Sequence, residues 1–562
     1  MFSLIPKKID TRVISSLEKV FCAPELAAPA ITGVQGARNE RVAFQLALRC
    51  QENIRISLTL EAPSPLAKCF SLREVRQSSC DLPASPDDKF AISARPGRFP
   101  DPLVPLEDSP DGFLRLTWGN WHAVWISGTI PEGTPAGDYR LTIHINKCSL
   151  LPPHHQLFEP VAAAVPVTLT ALPFSLPKQK LLNINWFHTD CIAKFYGVEM
   201  WSARHWSLLE KYFQNMIEHG NNVLYTPLWS IPLDTAIGHQ RPTCQLLDIT
   251  EQDGQYHFDF RRFRRWVALA RSCGFEYFEL THFFSQWGAT STPKIIVNGQ
   301  PRFGWHTSAT GADYTAFLNA LLPALLDTLR SLNLQRKCFF HVSDEPNGEQ
   351  LAQYRRCKAL LEKWVNDDEF PIIDALSHVE FYCQGVVQRP VPSTAALDNF
   401  TQFHLKQRWV YYCGNWTDDL PNRFLGLPSI RSRIMGVLLY LYRIEGFLHW
   451  GYNFWFSQFS LDQNLNPWLT TDAGRGFFGG DSFNVYPGPD GPIDTLHFET
   501  FTEGLQDLRA LQLLEEKIGR EKTVALIQKG VDYPITVHHY PHENRWLLDL
   551  RKRINQQLAK HA

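Results

Sequence analysis

The sequence predicts a multidomain β plus α/β protein. It reads as an antiparallel β-sandwich over residues 1–176, a (β/α)8 (TIM-like) barrel over 177–495, and a helical C-terminal segment over 496–562 packed on the barrel. Three observations predict this. The early apolar residues recur at every second position between turn formers. After a proline-rich break, short apolar runs alternate with stretches of helical period. The final stretch is charged and helical in spacing throughout.

In the first region, Val42–Leu48 places its larger apolar residues at alternate positions. Ile54–Leu60 and Tyr139–Ile145 alternate cleanly between apolar and polar, and Val165–Thr170 follows. Pro131, Gly133, Pro135, Gly137 and Asp138 supply turn chemistry between them. Trp118, Trp121 and Trp125 cluster nearby, and packing explains them better than sugar binding. Pro173 and Pro177 mark the break.

Beyond it, Leu181–Phe187 reads as a first strand ending at His188-Thr189-Asp190. A helix around 204–219 carries Leu208, Leu209, Tyr212, Phe213 and Met216 on one face, and Asn222–Pro227 follows as a strand. Phe263, Trp266, Val267, Leu269 and Ala270 predict a helix leading to strand Tyr277–His282. A long helix around 312–331 leads to Cys338–Val342. Val379–Cys383 and Arg408–Cys413 read as further strands, and a helix around 431–443 precedes Gly446–Gly451. From 496, Phe498, Phe501, Leu505, Leu508 and Leu511 keep helical spacing.

Bulk properties narrow the function classes. At 562 residues and 44% hydrophobic, the chain can bury large cores. Its net charge of -2 offers no basic surplus for nucleic acid or an anionic membrane. The 12 cysteines lack a CxxC pair or regular framework, which suits free thiols in a reducing compartment. Met1–Lys8 lacks the pattern of a secretory leader, and no apolar run nears ~18 residues, so a cytoplasmic protein without a membrane span is expected.

The chemistry concentrates at Ser343-Asp344-Glu345-Pro346. An apolar run stops at two adjacent acids, and Pro346 and Gly348 then turn the chain toward a helix. The carboxyl ends of parallel strands are where such folds bind ligands. Two carboxylates there suit a glycosidase, one charged and one holding a proton. The same residues would also serve as an ordinary helix cap. What favours a site is convergence, since His188, Asp190, His282, Tyr411 and Trp450 also fall at presumed strand ends. Successive strand residues point to opposite faces, so both acids can share a site only where the strand loses its regularity.

Several motifs together resemble glycoside hydrolase family 123, also met as the DUF4091 group. They are Ser343–Pro346, Trp409–Cys413, Gly446–Trp455, Gly480–Gly488, Phe498-Glu499 and Glu503–Asp507, in the family's order. His497, Thr502 and Gly414-Asn415 depart from its pattern. The resemblance implies a β-N-acetylgalactosaminidase-like enzyme using substrate-assisted catalysis with retention, no cofactor and no metal. It implies that Glu345 is the acid/base and that Asp344 orients the acetamido group. Tyr411 would bind that group, with Tyr412 as the fallback. Trp450 and Trp455 are candidate sugar platforms, and His188, Asp190 and His282 candidate hydroxyl ligands. The expected partner is a glycan or oligosaccharide containing β-linked N-acetylhexosamine; oligomeric state is open.

Three alternatives stand beside this reading. One is a metal-dependent barrel hydrolase using His188, Asp190 and His282, although no His-x-His or His-Glu-x-x-His occurs. Another is a non-catalytic carbohydrate-binding protein. The third is a hydrolase pairing Glu345 with a distant acid, Asp190 or Asp418.

Overall fold

The computed structural model describes residues 8–108, 112–150, 156–158, 163–414 and 420–562. The chain divides into two compact units. The first contains residues 1–179, 421–441 and 493–562; the second contains 180–420 and 442–492. The C-terminal helices thus belong with the N-terminal strands, and the predicted helix around 431–443, found as Ile430–Arg433 and Met435–Leu441, is shared with them rather than kept by the barrel region.

The first unit is built on two sheets. One is five-stranded and antiparallel, in the order Asp10–Ser15, Arg41–Arg49, Trp121–Thr129, Phe70–Cys80, Gly97–Pro105. The other runs Gly33–Arg38, Ala163–Ser175, Gly137–Leu150, Ile54–Glu61, Leu114–Leu116, with Gln156–Phe158 on the Gly137–Leu150 strand. Gly33–Arg38 pairs parallel with Ala163–Ser175, an exception to the all-antiparallel expectation. Strand Arg41–Arg49 shows why alternation was legible. Val42, Phe44, Leu46 and Leu48 enter a core with Ile56, Ile143 and Leu169. Ala43 and Ala47 face the other way, against Trp121, Trp125 and Leu496. The large face fills the space between the sheets and the small face admits a helix.

That helix, Leu496–Ile518, is capped by Thr495, whose side chain accepts from the Phe498 amide. Its acids Glu499, Glu503 and Asp507 form one stripe, and every one meets arginine. Glu499 pairs with Arg41 and Arg73, Glu503 with Arg433, and Asp507 with Arg433 and Arg551. Gly436 lies so close to Gly504 that an added Cβ would stand 1.8 Å from its carbonyl oxygen, so this close an approach of the two helices requires glycine.

The second unit carries the parallel strands, labelled here in chain order. They are β1 (Leu182–Asn185), β2 (Val223–Thr226), β3 (Tyr277–Leu280), β4 (Cys338–Phe339), β5 (Asp374–Ala375), β6 (Pro390–Val391), β7 (Trp409–Tyr411) and β8 (Gly446–His449). Helices α1 (Thr189–Tyr196), α2 (Ala203–Glu218), α3 (Arg261–Cys273), α4 (Ala312–Ser331) and α5 (Leu351–Glu362) intervene as expected. Leu208, Leu209, Tyr212, Phe213 and Met216 of α2 are buried as predicted, as are Phe263, Trp266, Val267 and Ala270 of α3, while Leu269 is only half-buried.

The regular sheet spans six strands, in the order β4-β3-β2-β1-β8-β7, all parallel. This falls short of the expected continuous eight-stranded ladder. β5 and β6 form a separate parallel pair, with isolated parallel bridges at Phe340↔Ile372 and Ser393↔Tyr411. Proline explains the interruption, because Pro371, Pro390 and Pro392 have no amide to donate to a ladder. Val379–Cys383, predicted as a strand, contains instead the short helix α6 (Glu380–Cys383), with β5 taking the strand position before it. No helix is long and apolar enough to cross a membrane among the described residues.

Candidate active site

A cavity opens at the carboxyl ends of these strands. It is lined by Trp186 past β1, Asp234 past β2, Gln286 past β3, Asp344 and Glu345 past β4, Tyr411 on β7, Cys413 past β7 and Trp450 past β8, with Ala375, Leu448 and Phe477 completing the wall. Six connections contribute polar or aromatic groups to one small space, the arrangement that parallel α/β folds reserve for ligands.

The adjacent acids share this space because the backbone changes hand. Glu345 has a φ of 44°, a left-handed conformation that side-chain-bearing residues seldom adopt. The strained step is held by two backbone bonds: the Glu345 amide donates to the Ala375 carbonyl at 2.9 Å, and the Trp287 amide to the Asp344 carbonyl at 3.2 Å. The irregularity that alternation demanded is thus present at the second acid itself.

Each acid has its own partner. Tyr411 donates its hydroxyl to Glu345 Oε1. Gln286 donates through Nε2 to Asp344 Oδ2 at 2.7 Å, while its Oε1 accepts from the Asp234 amide at 2.7 Å. Gln286 therefore fixes the positions of two acids with one amide group. Asp234 also has a left-handed backbone, at φ 50°, and its buried Oδ2 has no hydrogen-bond partner among the described residues.

The electrostatics favour retained protons. Burial, then the neighbouring Glu345 and Asp234, push Asp344 well above the usual carboxylate range, against the pull of Gln286 and His341. Burial raises Glu345 too, opposed by the Tyr411 hydrogen bond. Burial pushes Asp234 up to about 7, with Arg241 opposing and Glu345 reinforcing. Acids this crowded and desolvated cannot all ionise cheaply. A carboxyl kept protonated at neutral pH is what general-acid catalysis requires.

Of the residues singled out in the sequence, Asp344, Glu345, Tyr411 and Trp450 meet in the cavity. The other four lie outside its lining. Asp190 is held bidentately by Arg241, at 2.7 and 2.8 Å, and both are buried. His188 accepts from Arg241 at Nδ1 and reaches the Trp450 carbonyl with Nε2 at 2.9 Å; burial and Arg241 keep it well below its ordinary pKa, hence neutral. Arg241 also binds the Leu233 carbonyl, so this cluster fixes the backbone beside Asp234 and Trp450. His282 stacks on His341 with ring centres 4.2 Å apart. Trp455 is packed against Phe195 and Tyr212 and donates to the Val485 carbonyl. Tyr412 packs on Phe447 and His449. Asp418 and Asn415 lie outside the described residues.

The sequence reading missed Asp234, Gln286, Cys413, Trp186 and Phe477. Asp234 and Gln286 sit in irregular loops without periodicity, so only tertiary contact reveals them. Beneath the cavity lies a further group. His341 stands between Glu279 and Asp374, which outweigh the cost of its burial and raise it to about 10. Glu279 also accepts from Trp186 Nε1 at 2.8 Å, tying this network to the cavity wall. His282, His341 and Asp374 place ligand atoms within 4.8 Å of one another. An imidazolium engaged at both nitrogens by carboxylates is nonetheless a poor metal ligand, since metal needs a free nitrogen lone pair.

A strand-end cavity with crowded, desolvated acids and an aromatic wall suits a glycoside hydrolase. The comparisons agree. Residues 186–514 match the family model described as "Glycoside hydrolase 123, catalytic domain". The chain belongs to glycoside hydrolase family 123. Among solved structures it is similar to a family 123 glycoside hydrolase from Clostridium perfringens, with a TM-score of 0.74, 14% identity and 99% of each chain covered. A PapD-like domain of human CEP192 matches 31% of this chain and 90% of its own length, at 15% identity and a TM-score of 0.15, too low to carry an argument. Comparison with curated proteins gives no significant match.

Proposed function

We propose that the protein hydrolyses β-linked N-acetylhexosaminides, with N-acetyl-β-galactosaminide as the preferred substrate, by acetamido-assisted catalysis with retention. The observation that carries this is the left-handed Glu345, which brings two adjacent acids into one cavity beside a tyrosine and a tryptophan. The adjacency favours substrate assistance over a two-carboxylate displacement, because neighbouring side chains on one turn do not flank a sugar from opposite sides.

The steps follow from the groups present. The substrate's acetamido oxygen attacks the anomeric carbon as the bond to the leaving oxygen breaks. Protonated Glu345 gives its proton to that oxygen. Asp344, held by Gln286, accepts the acetamido N–H and stabilises the positive charge of the oxazolinium. Water then adds to the anomeric carbon from the side the leaving group vacated. Glu345, now a carboxylate, takes its proton as the bond to the acetamido oxygen breaks. Two inversions leave the configuration retained. Tyr411 orients Glu345 before substrate arrives and would turn to the acetamido group once it binds. Trp450, steered by its Nε1 bond to Asp481 at 3.3 Å, offers its ring to the sugar's apolar face.

The isolated bridges on either side of β5–β6 support reading the eight parallel pieces as one closed (β/α)8 barrel, with the cavity at its carboxyl end. Cys50, Cys191, Cys244, Cys338 and Cys357 are buried free thiols, which supports a reducing compartment. The test of function is hydrolysis of an aryl N-acetyl-β-galactosaminide, the matching glucosaminide and a plain β-galactoside. Turnover of the first with a β-configured product supports the reading. An inverted product, or equal turnover of the plain galactoside, sinks it.

A further inference from the structure

A second cavity lies along the chain from the first. It encloses about 220 Å³ and is lined in part by Ser230, Thr235, His239, Arg241, Lys294 and Trp305. This is room for several waters or for a sugar-sized group. The two cavities share walls. Asp234 lines the catalytic one and Thr235 the other, while Gln286 lines the catalytic one and Ser285 the other. Consecutive residues are ~3.8 Å apart, so at these two connections only the thickness of the chain separates the cavities.

The two differ in charge. The catalytic cavity is lined by Asp234, Asp344 and Glu345. The second contains no Asp or Glu among its lining residues. Arg241 is already paired with Asp190, and His239 with the exposed Asp462. Lys294 is different: its half-buried ammonium donates to the Arg241 carbonyl, and no carboxylate lies within ion-pair distance of it among the described residues. Burial, opposed by Cys244 and Asp190, lowers its pKa. A desolvated ammonium without a counter-ion is costly, and an incoming anion would relieve that cost. Ser230 adds a buried hydroxyl with no partner among the described residues. Trp305, held by its Nε1 bond to the His239 carbonyl at 2.9 Å, offers a ring to a sugar face.

We propose that this cavity is a subsite for an anionic group, carboxylate or sulfate, on the sugar next to the N-acetylhexosamine being cleaved, and that Lys294 reads the charge. This rests on the glycosidase reading above and deepens it. Ser230 then donates to the anion and Trp305 stacks on the ring that carries it.

The test compares disaccharides with N-acetyl-β-galactosamine linked to glucuronic acid or to glucose, and to galactose 6-sulfate or to galactose. An aryl N-acetyl-β-galactosaminide reports turnover without a second sugar. The wild type is expected to favour one acidic substrate over its neutral partner by about tenfold in kcat/KM, carried in KM and eroded by salt. Which acidic substrate is favoured distinguishes carboxylate from sulfate. Lys294→Met should bring the ratio to about one, and Lys294→Arg should keep most of it. A wild type that cleaves the aryl glycoside but treats acidic and neutral disaccharides alike overturns the subsite and leaves the glycosidase reading intact. So does an unchanged preference in Lys294→Met. If the aryl glycoside is not cleaved, the glycosidase reading fails, and calorimetry with methyl β-glucuronide and inorganic sulfate decides the anion site. Binding weakened in Lys294→Met supports it, and no binding to the wild type overturns it.

Discussion

Two sets of buried acids in this chain receive opposite treatment. In the first unit, Glu499, Glu503 and Asp507 each meet at least one arginine. Burial alone would raise Asp507, but Arg433 and Arg551 outweigh it and hold the carboxyl below its ordinary range, while Glu503, with Arg433 alone, stays raised to about 7 by burial. In the second unit, Asp234, Asp344 and Glu345 crowd one cavity, with amide and hydroxyl donors for Asp344 and Glu345 and no ion pair to any of the three among the described residues. All three are raised above their ordinary values. The difference separates architecture from chemistry. An acid paired with arginine ties elements together, whereas acids crowded without a cation cannot all ionise, so one of them keeps a proton to give away.

The largest effect should come from breaking the uncompensated set. Glu345→Gln and Asp344→Asn should each lower kcat by about a thousandfold in steady-state assays, while thermal unfolding shows no loss of stability. Both variants remove a crowded charge that the fold tolerates rather than needs. The compensated set should behave the other way. Asp507→Ala leaves Arg433 and Arg551 buried without their shared partner and should cost about 3–5 kcal/mol in denaturant unfolding. If Asp507→Ala abolished turnover without destabilising the chain, Asp507 would not be an architectural acid.

A smaller effect sharpens the role of Gln286, which the sequence did not flag. Gln286→Ala removes the donor to Asp344 and the acceptor for the Asp234 amide, and should lower kcat/KM by about ten- to a hundredfold. The subtlest test uses pH. Asp234 is raised from 3.8 to about 7 by burial, so the folded state binds its proton more tightly than the unfolded state does. Stability from this group is therefore present below pH ~4 and lost as pH rises through about 7. Asp234→Asn should raise Tm more at pH 8 than at pH 4. Asp507 runs oppositely: its contribution is present above the ordinary carboxylate range and lost as pH falls through its lowered value. Melting curves of both variants across pH should diverge in sign.

The family motifs divide along the same line. Ser343–Pro346, Tyr411 and Trp450 line or adjoin the cavity, yet Glu499 and Glu503–Asp507 build the arginine network of the first unit. Residues equally prominent in the sequence thus border a cavity in one place and form ion pairs between elements in the other. His188 and Asp190 illustrate the same ambiguity. A polar residue at a strand end reads as a ligand, but Arg241, 51 residues beyond Asp190 in the chain, turns both inward.

What the sequence determined by itself is what depends on local pattern. Period-two alternation places Phe44, Leu46 and Leu48 in a sheet core, and helical spacing places Leu208, Tyr212 and Met216 on a buried face. An apolar run ending in Asp344-Glu345 locates the acids at a strand end, because a two-residue period cannot continue through both. The tertiary structure alone decided which polar side chains share a space. Asp234, Gln286 and Lys294 lie in loops whose paths follow from long-range packing, and their charges take meaning only from neighbours distant in the chain. The pairing of Asp190 by Arg241, and the lack of any such partner for Asp344 among the described residues, are facts of distance. Burial multiplies the cost of a charge left alone, so those distances decide which acids hold the fold and which hold a proton.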